Sequence, residues 1–183
     1  MSPILGIYAS QISGHLTPLG YSSIATQTVG SGGASSVTFS AIPSTYTHLQ
    51  IRCNVLMGTT VDLDLQFNSD TGANYAYHAL YGTGSAAGSL AATSTSNGVY
   101  FGQYRTGATS ACGAVVDILD YTNVNKNKTV RALSGIDTNS TNGIVFLTSG
   151  LWMNTSAISN ITIYSKDAIS FAQYSSFALY GIR

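Results

Sequence analysis

The sequence contains no glutamate, and only 8% of its 183 residues are charged, seven Lys or Arg against seven Asp. Glu and Lys populate exposed helix faces, so their scarcity beside abundant Ser, Thr, Gly, Asn, Ala and Tyr excludes a mainly helical protein and points to strands and turns. Sparse charge also argues against a nucleic-acid partner, because neutralising phosphates takes clustered cations. Only Lys126, Lys128 and Arg131 lie near one another, and they read as a solvated loop. Cysteine is limited to Cys53 and Cys112, with no CxxC and no Cys/His cluster at metal spacing. The two read as small buried hydrophobes, and whether they pair stays open because that depends on Cα separation. No Lys or Arg precedes Arg52, so the apolar stretch from Ile4 to Ala9 lacks the basic region of a secretory signal. No apolar run has the length of a membrane helix. The expectation is a chain made in a cytoplasm, not exported by the standard route, with no membrane partner.

Catalytic patterns are equally scarce. The nucleophile elbow G-x-S-x-G is absent, and His15, His48 and His78 are the only imidazoles. His48 falls on the polar face of a predicted strand and His78 stands among tyrosines, so neither has the partner a general base needs. The close carboxylate pairs are Asp62/Asp64 and Asp117/Asp120; the first projects from one strand face, side by side instead of across a cleft as glycoside hydrolysis requires, and reads as a solvated polar face of that strand. Asp62, Asp64, Asn68 and Asp70 offer oxygen ligands of the kind Ca²⁺ takes, without the spacing of an EF-hand. Gly82, Gly84 and Gly88 superficially resemble a phosphate loop, but no Lys-Ser/Thr follows. The reading is a protein with no catalytic residues, no cofactor and no metal of its own.

What the sequence does have is strand patterning. Pro3, Gly6, Gly14, Pro18 and Gly20 break up Ile4, Leu5, Ile7, Tyr8, Ile12, Leu16 and Leu19, so residues 1–20 read as an extended arm. Such apolar residues are costly to leave in water, which marks them as contacts to the chain's own domain or to a neighbour. Residues 21–183 then form one domain of short runs bounded by turns, with strands predicted at 22–29, 36–41, 48–56, 61–67, 74–81, 98–105, 113–120, 129–136, 144–153, 158–165 and 175–182. Val61, Leu63, Leu65 and Phe67 alternate with Asp62, Asp64 and Gln66, giving one apolar face. Ile144–Leu147 and Leu151–Met153 are apolar on both faces and so ask for cover on both sides. Gly82–Ser96 reads as a long low-complexity loop. The fold class is all-β, a jelly-roll-like antiparallel β-sandwich preceded by the arm. Trp152, Phe177 and Tyr180 are candidate subunit-interface residues, since large aromatics dominate packed interiors and interfaces.

Four segments also carry a resemblance. The opening Ile4–Ser13, the block Ser36–Arg52, the Val116–Tyr121 run followed by Asn123 and Lys126, and the close Phe171–Ile182 resemble a group of tailed-bacteriophage virion proteins, and the likeness covers almost the whole chain. It implies a virion component assembled in a bacterial host: a capsid decoration (cement) protein that binds the major capsid protein as a homotrimer. The alternative it leaves is a tail or tail-fibre protein in which Tyr100, Tyr104 and Trp152 meet a host glycan. A depolymerase built around Asp117 is the enzyme reading, disfavoured by the lack of paired catalytic carboxyls.

Overall fold

The computed structural model describes residues 20–96, 98–106 and 110–183. These form twelve strands and no helix: β1 Tyr21–Thr28, β2 Ser36–Phe39, β3 His48–Val55, β4 Val61–Phe67, β5 Tyr75–Gly82, β6 Ala87–Thr95, β7 Val99–Tyr104, β8 Cys112–Leu119, β9 Lys128–Ile136, β10 Ile144–Trp152, β11 Ile161–Ser165 and β12 Ser176–Ile182. No helix long and apolar enough to cross a membrane occurs among the described residues. Eleven strands fall where the period-two pattern and the turn residues put them. The twelfth, β6, is a correction, because it occupies the stretch expected as a loop. Its Ala, Gly, Ser and Thr side chains leave a mostly exposed edge strand with no apolar alternation, held by backbone pairing to β5 from Gly82↔Ala87 to Tyr75↔Thr95.

All pairings are antiparallel and make two sheets, β1-β12-β3-β8-β9-β10-β5-β6 and β2-β11-β4-β7. The chain passes repeatedly from one sheet to the other, as in a jelly roll, but the division is eight strands to four. Alternation decides which side chains face inward. Leu49, Ile51, Cys53 and Val55 of β3 and Val116 and Ile118 of β8 meet Val61, Leu63, Leu65 and Phe67 of β4 and Ile161 and Ile163 of β11. A fully buried side chain of this size is worth about 1.5–3 kcal/mol relative to exposure, so this interior is what holds the sandwich shut. Cys53 and Cys112 are unpaired and buried within it, as two small hydrophobes. Burial, with Cys112 nearby, pushes the Cys53 thiol up to about 12; burial takes Cys112 to about 11.

Trp152 anchors the β4–β5 turn. Its Nε1 donates to Asp70 Oδ2 at 2.7 Å, while Asp70 also accepts from the Gly72 amide and from Asn74 Nδ2. The Tyr75 ring stacks on Trp152, and the Tyr75 hydroxyl accepts from the Phe67 amide and donates to the Asp70 carbonyl. Burial alone would raise the Asp70 pKa; the hydrogen bonds outweigh it and hold the carboxyl below its ordinary value. Lys128 is a second anchor and a correction to the solvated-loop reading. It is fully buried, and its ammonium donates to the carbonyls of Asn123, Lys126 and Thr155 at 2.7, 3.0 and 2.8 Å. Three acceptors replace the water it gives up, and they tie the β8–β9 connection to the end of β10.

The two sheets approach closely where β9 and β10 lie over β7. A Cβ built on Gly150 would sit 2.2 Å from Val99 Cγ1, inside the core. Gly150→Ala is therefore expected to cost about 1–3 kcal/mol by overpacking, measured by urea unfolding, and adding Val99→Ala should return part of the loss. Equal additive losses in the double variant would show that this contact does not set the sheet spacing.

Candidate functional site

The face of the eight-stranded sheet turned away from the core is built of three adjacent rows, each fixed by strand register. The middle row is apolar: Leu80 on β5, Leu147 on β10, Leu133 on β9 and Val115 on β8 stand opposite one another in that order. Leu80, Leu147 and Leu133 remain 61%, 58% and 57% exposed, where a core leucine would be near zero. On one side runs a row of small residues, with Gly82, Val145, Gly135 and Gly113 paired across the same four strands. Two glycines of that row, Gly113 and Gly135, leave the sheet backbone as part of the floor of an open trough of about 590 Å³. Val115, Leu133, Val145 and Ala178 contribute apolar side chains to its walls.

The third row, His78, Ser149, Arg131, Asp117 and Gln50, is polar, and Arg52, which stands opposite Val115 at the end of the apolar row, is tied to it. Gln50 Nε2 donates to Asp117 Oδ1 at 2.8 Å, and Arg52 Nε donates to Gln50 Oε1 at 2.8 Å. The Arg52 guanidinium lies 5.0 and 5.4 Å from the ring centres of Tyr21 and Tyr180, which pack edge to face. Arg131 approaches Asp117 at 4.0 Å. Asp117 and Arg131 thus face one another, Arg52 is held by Gln50 and two rings, and the apolar part of the face is the leucine row with its trough, which Arg52 borders. Contiguous apolar surface of this kind marks an interaction site in soluble proteins.

The residues singled out from sequence are distributed unevenly over this geometry. Ile4, Leu5, Ile7, Tyr8, Ile12, Leu16 and Leu19 lie outside the described residues. Trp152 and Phe177, expected at a subunit interface, are 1% and 0% exposed in the chain's own core, because both stand on the inward-facing phase of their strands. Tyr180 is half-buried on the outer face beside Arg52. Tyr100 and Tyr104 are buried as well, so the glycan platform proposed on them and Trp152 is not available at the surface. The four oxygen donors do not converge on a cation position: Asp70 is engaged with Trp152, and no cluster of three or more acidic, His or Cys side chains occurs among the described residues. His48 Nδ1 accepts the Asp120 amide at 2.9 Å and braces the end of β8. His78 shares its outer-face row with Ser149 and Ala91, and Asp117 is held by Gln50.

Sequence reading flagged the doubly apolar Ile144–Leu147, and the structure leaves Val145 and Leu147 uncovered. It missed Leu80, Leu133 and Val115, whose membership of one patch depends on register. Comparison with protein-family models, with curated proteins and with solved structures finds no match.

Asp64 corrects the reading of β4 as a solvated polar face. It is 3% exposed, next to Tyr164 and Tyr100 in the register, and its Oδ2 has no hydrogen-bond partner among the described residues. Asp62, in contrast, accepts from Gln103 Nε2 at 2.7 Å. Burial, then the Asp62 charge, push the Asp64 pKa from 3.8 up to about 7, with Lys166 opposing. A carboxyl that binds its proton more tightly when folded adds stability that is fully present below about pH 4 and lost as pH rises through 7. Asp64→Asn should therefore stabilise the domain by about 1–3 kcal/mol at pH 8, with the gain shrinking toward zero near pH 4. Thermal melts of both proteins from pH 4 to 8 read this out; parallel curves would show that Asp64 stays solvated.

Proposed function

We propose that the protein is a structural component of a tailed-phage virion: a decoration protein that binds the assembled shell of major capsid protein as a homotrimer and does no chemistry of its own. The observation that carries the reading is the unpartnered row Leu80–Leu147–Leu133–Val115 with its trough, on a face where Asp117 and Arg131 face one another and Arg52 is held by Gln50. A surface of that kind is suited to packing against protein. The sequence resemblance supplies the setting. A small domain that contacts several subunits at once stabilises an assembly by mass action, because it binds the assembled shell and not its separated parts. The host-glycan alternative is the weaker reading, since the aromatics it relied on are core residues.

The test is Leu133→Asp with Leu147→Asp. Both positions are exposed, so the fold should lose less than about 1 kcal/mol, whereas retention on particles should fall at least about tenfold, because burying each leucine is worth more than the 1.4 kcal/mol that a factor of ten requires. Gold-labelled antibody on virions should mark the capsid. Label confined to the tail, or full retention of the double variant, would overturn the decoration reading.

A further inference from the structure

We infer that the trough on the outer face receives the apolar block Ile4–Tyr8 of a neighbouring copy, so that subunits are linked arm to sheet. This rests on the reading above that the outer face joins subunits, and it names the segment that occupies it. Three observations converge. The first is charge. Arg52 and Arg131 are engaged with Gln50, Tyr21, Tyr180 and Asp117, so an occupant of the trough should be neutral and apolar. Residues 1–19 contain no Asp, Lys or Arg, and Ile4, Leu5, Ile7 and Tyr8 are their densest apolar group.

The second observation is size. The trough is lined from β10 across β9, β8, β3 and β12 to β1, five strand spacings or about 24 Å. Five residues in extended form would span about 14 Å and so fit within it. Fifteen residues then separate Ile4 from Gly20, a reach of about 50 Å, against a radius of gyration near 16 Å for a domain of this length. The block can therefore arrive at the middle of an adjacent subunit's sheet.

The third is direction. β1 begins at Tyr21, opposite Ile182, and ends at Thr28, opposite Ser176, in the row of the trough. The chain thus enters β1 from the end remote from the trough, so residues 1–19 join the sheet on the side away from it. An arm meeting a different surface on the next copy is a heterologous contact, and closed rotational symmetry is what such a contact needs to stop at a small number of copies.

The experiment uses full-length protein. Ile7→Cys in one tagged population and Leu133→Cys in an untagged one are mixed and oxidised; the native thiols do not compete, being buried with raised pKa values. The expected product is a disulfide between tagged and untagged chains. In parallel, Leu5→Asp/Ile7→Asp is expected to shift the dissociation midpoint of the oligomer, read by light scattering over a dilution series, by about 100-fold or more, with an unchanged melting temperature for the domain. A disulfide formed only within one chain, when Ile7→Cys and Leu133→Cys are placed together, would overturn the inference in favour of an arm folded on its own sheet. An oligomer insensitive to the arm substitutions but lost in Leu133→Asp/Leu147→Asp would overturn the arm while leaving the outer face as the subunit contact. An oligomer insensitive to both pairs would remove the arm and the face together.

Discussion

Four strands have to cover the inner face of eight. At about 4.8 Å per strand the larger sheet is roughly twice as wide as the smaller one, so a simple face-to-face sandwich would leave its flanks wet. The flanks are closed by large rings and by a few well-satisfied polar anchors. On the β5 side, Phe67, Tyr75 and Trp152 pack together, and Tyr77, Tyr100, Phe146 and Tyr81 form a second group beneath β10 and β5. On the β12 side, Phe171 and Phe177 meet at 4.9 Å, and Gln27 of β1 donates to the Thr38 carbonyl of β2 across the gap between the sheets. Asp70 and Lys128 then fix the turns that carry these rings. The twelve tyrosines are explained in part by this geometry, since a ring with a polar tip can fill a flank and still reach a carbonyl or water at the rim.

The same constraint shapes the outer face. The inner phase of β8, β9 and β10 is spent on covering the core, so any function of this sheet falls to the opposite phase of the same strands. There the glycines of β8, β9 and β5 coincide in one row and the leucines in the next. Neither feature serves the core. A leucine that is more than half exposed gains little from folding, and three of them side by side gain only when something else covers them.

The architecture was readable to the extent that single strands announce themselves. Val61–Phe67 alternates over seven residues, and Asn142-Gly143 sits in the connection between β9 and β10. β6 was not readable, because a strand of Ala, Gly, Ser and Thr that buries almost nothing has no periodicity to detect. Burial direction was partly hidden too. Trp152 lies between Leu151 and Met153, so period two cannot tell which of the three faces in. Asp64 was misread because strict alternation with Leu63 and Leu65 puts it on a face assumed to be wet, whereas the register shift between Leu63 and Asp64 and the tyrosines beside it enclose that face. The apolar row illustrates the general limit. Leu80, Val115, Leu133 and Leu147 are separated by tens of residues, and only cross-strand register makes them neighbours.

The edges of the larger sheet sharpen the contrast with its face. An edge strand offers unpaired backbone groups to any passing chain, and natural proteins guard against this with charges, prolines or bulges. β1 and β6 have neither charge nor proline, but each pairing carries a bulge, between Ser23 and Ala25 in one and opposite Tyr75 and Tyr77 in the other. A bulge increases local twist and spoils the flat template that strand addition requires. The outer face is less guarded: from β5 to β8 the row Leu80, Leu147, Leu133 and Val115 carries no charge, and Arg52 stands only at its β3 end. A single lysine at any of these outward-facing positions would make the surface unattractive to protein at little cost to a fold that does not use it. The molecule therefore blocks indiscriminate association at its edges and keeps one apolar face uncovered, which is the distribution expected of a surface meant for a specific partner.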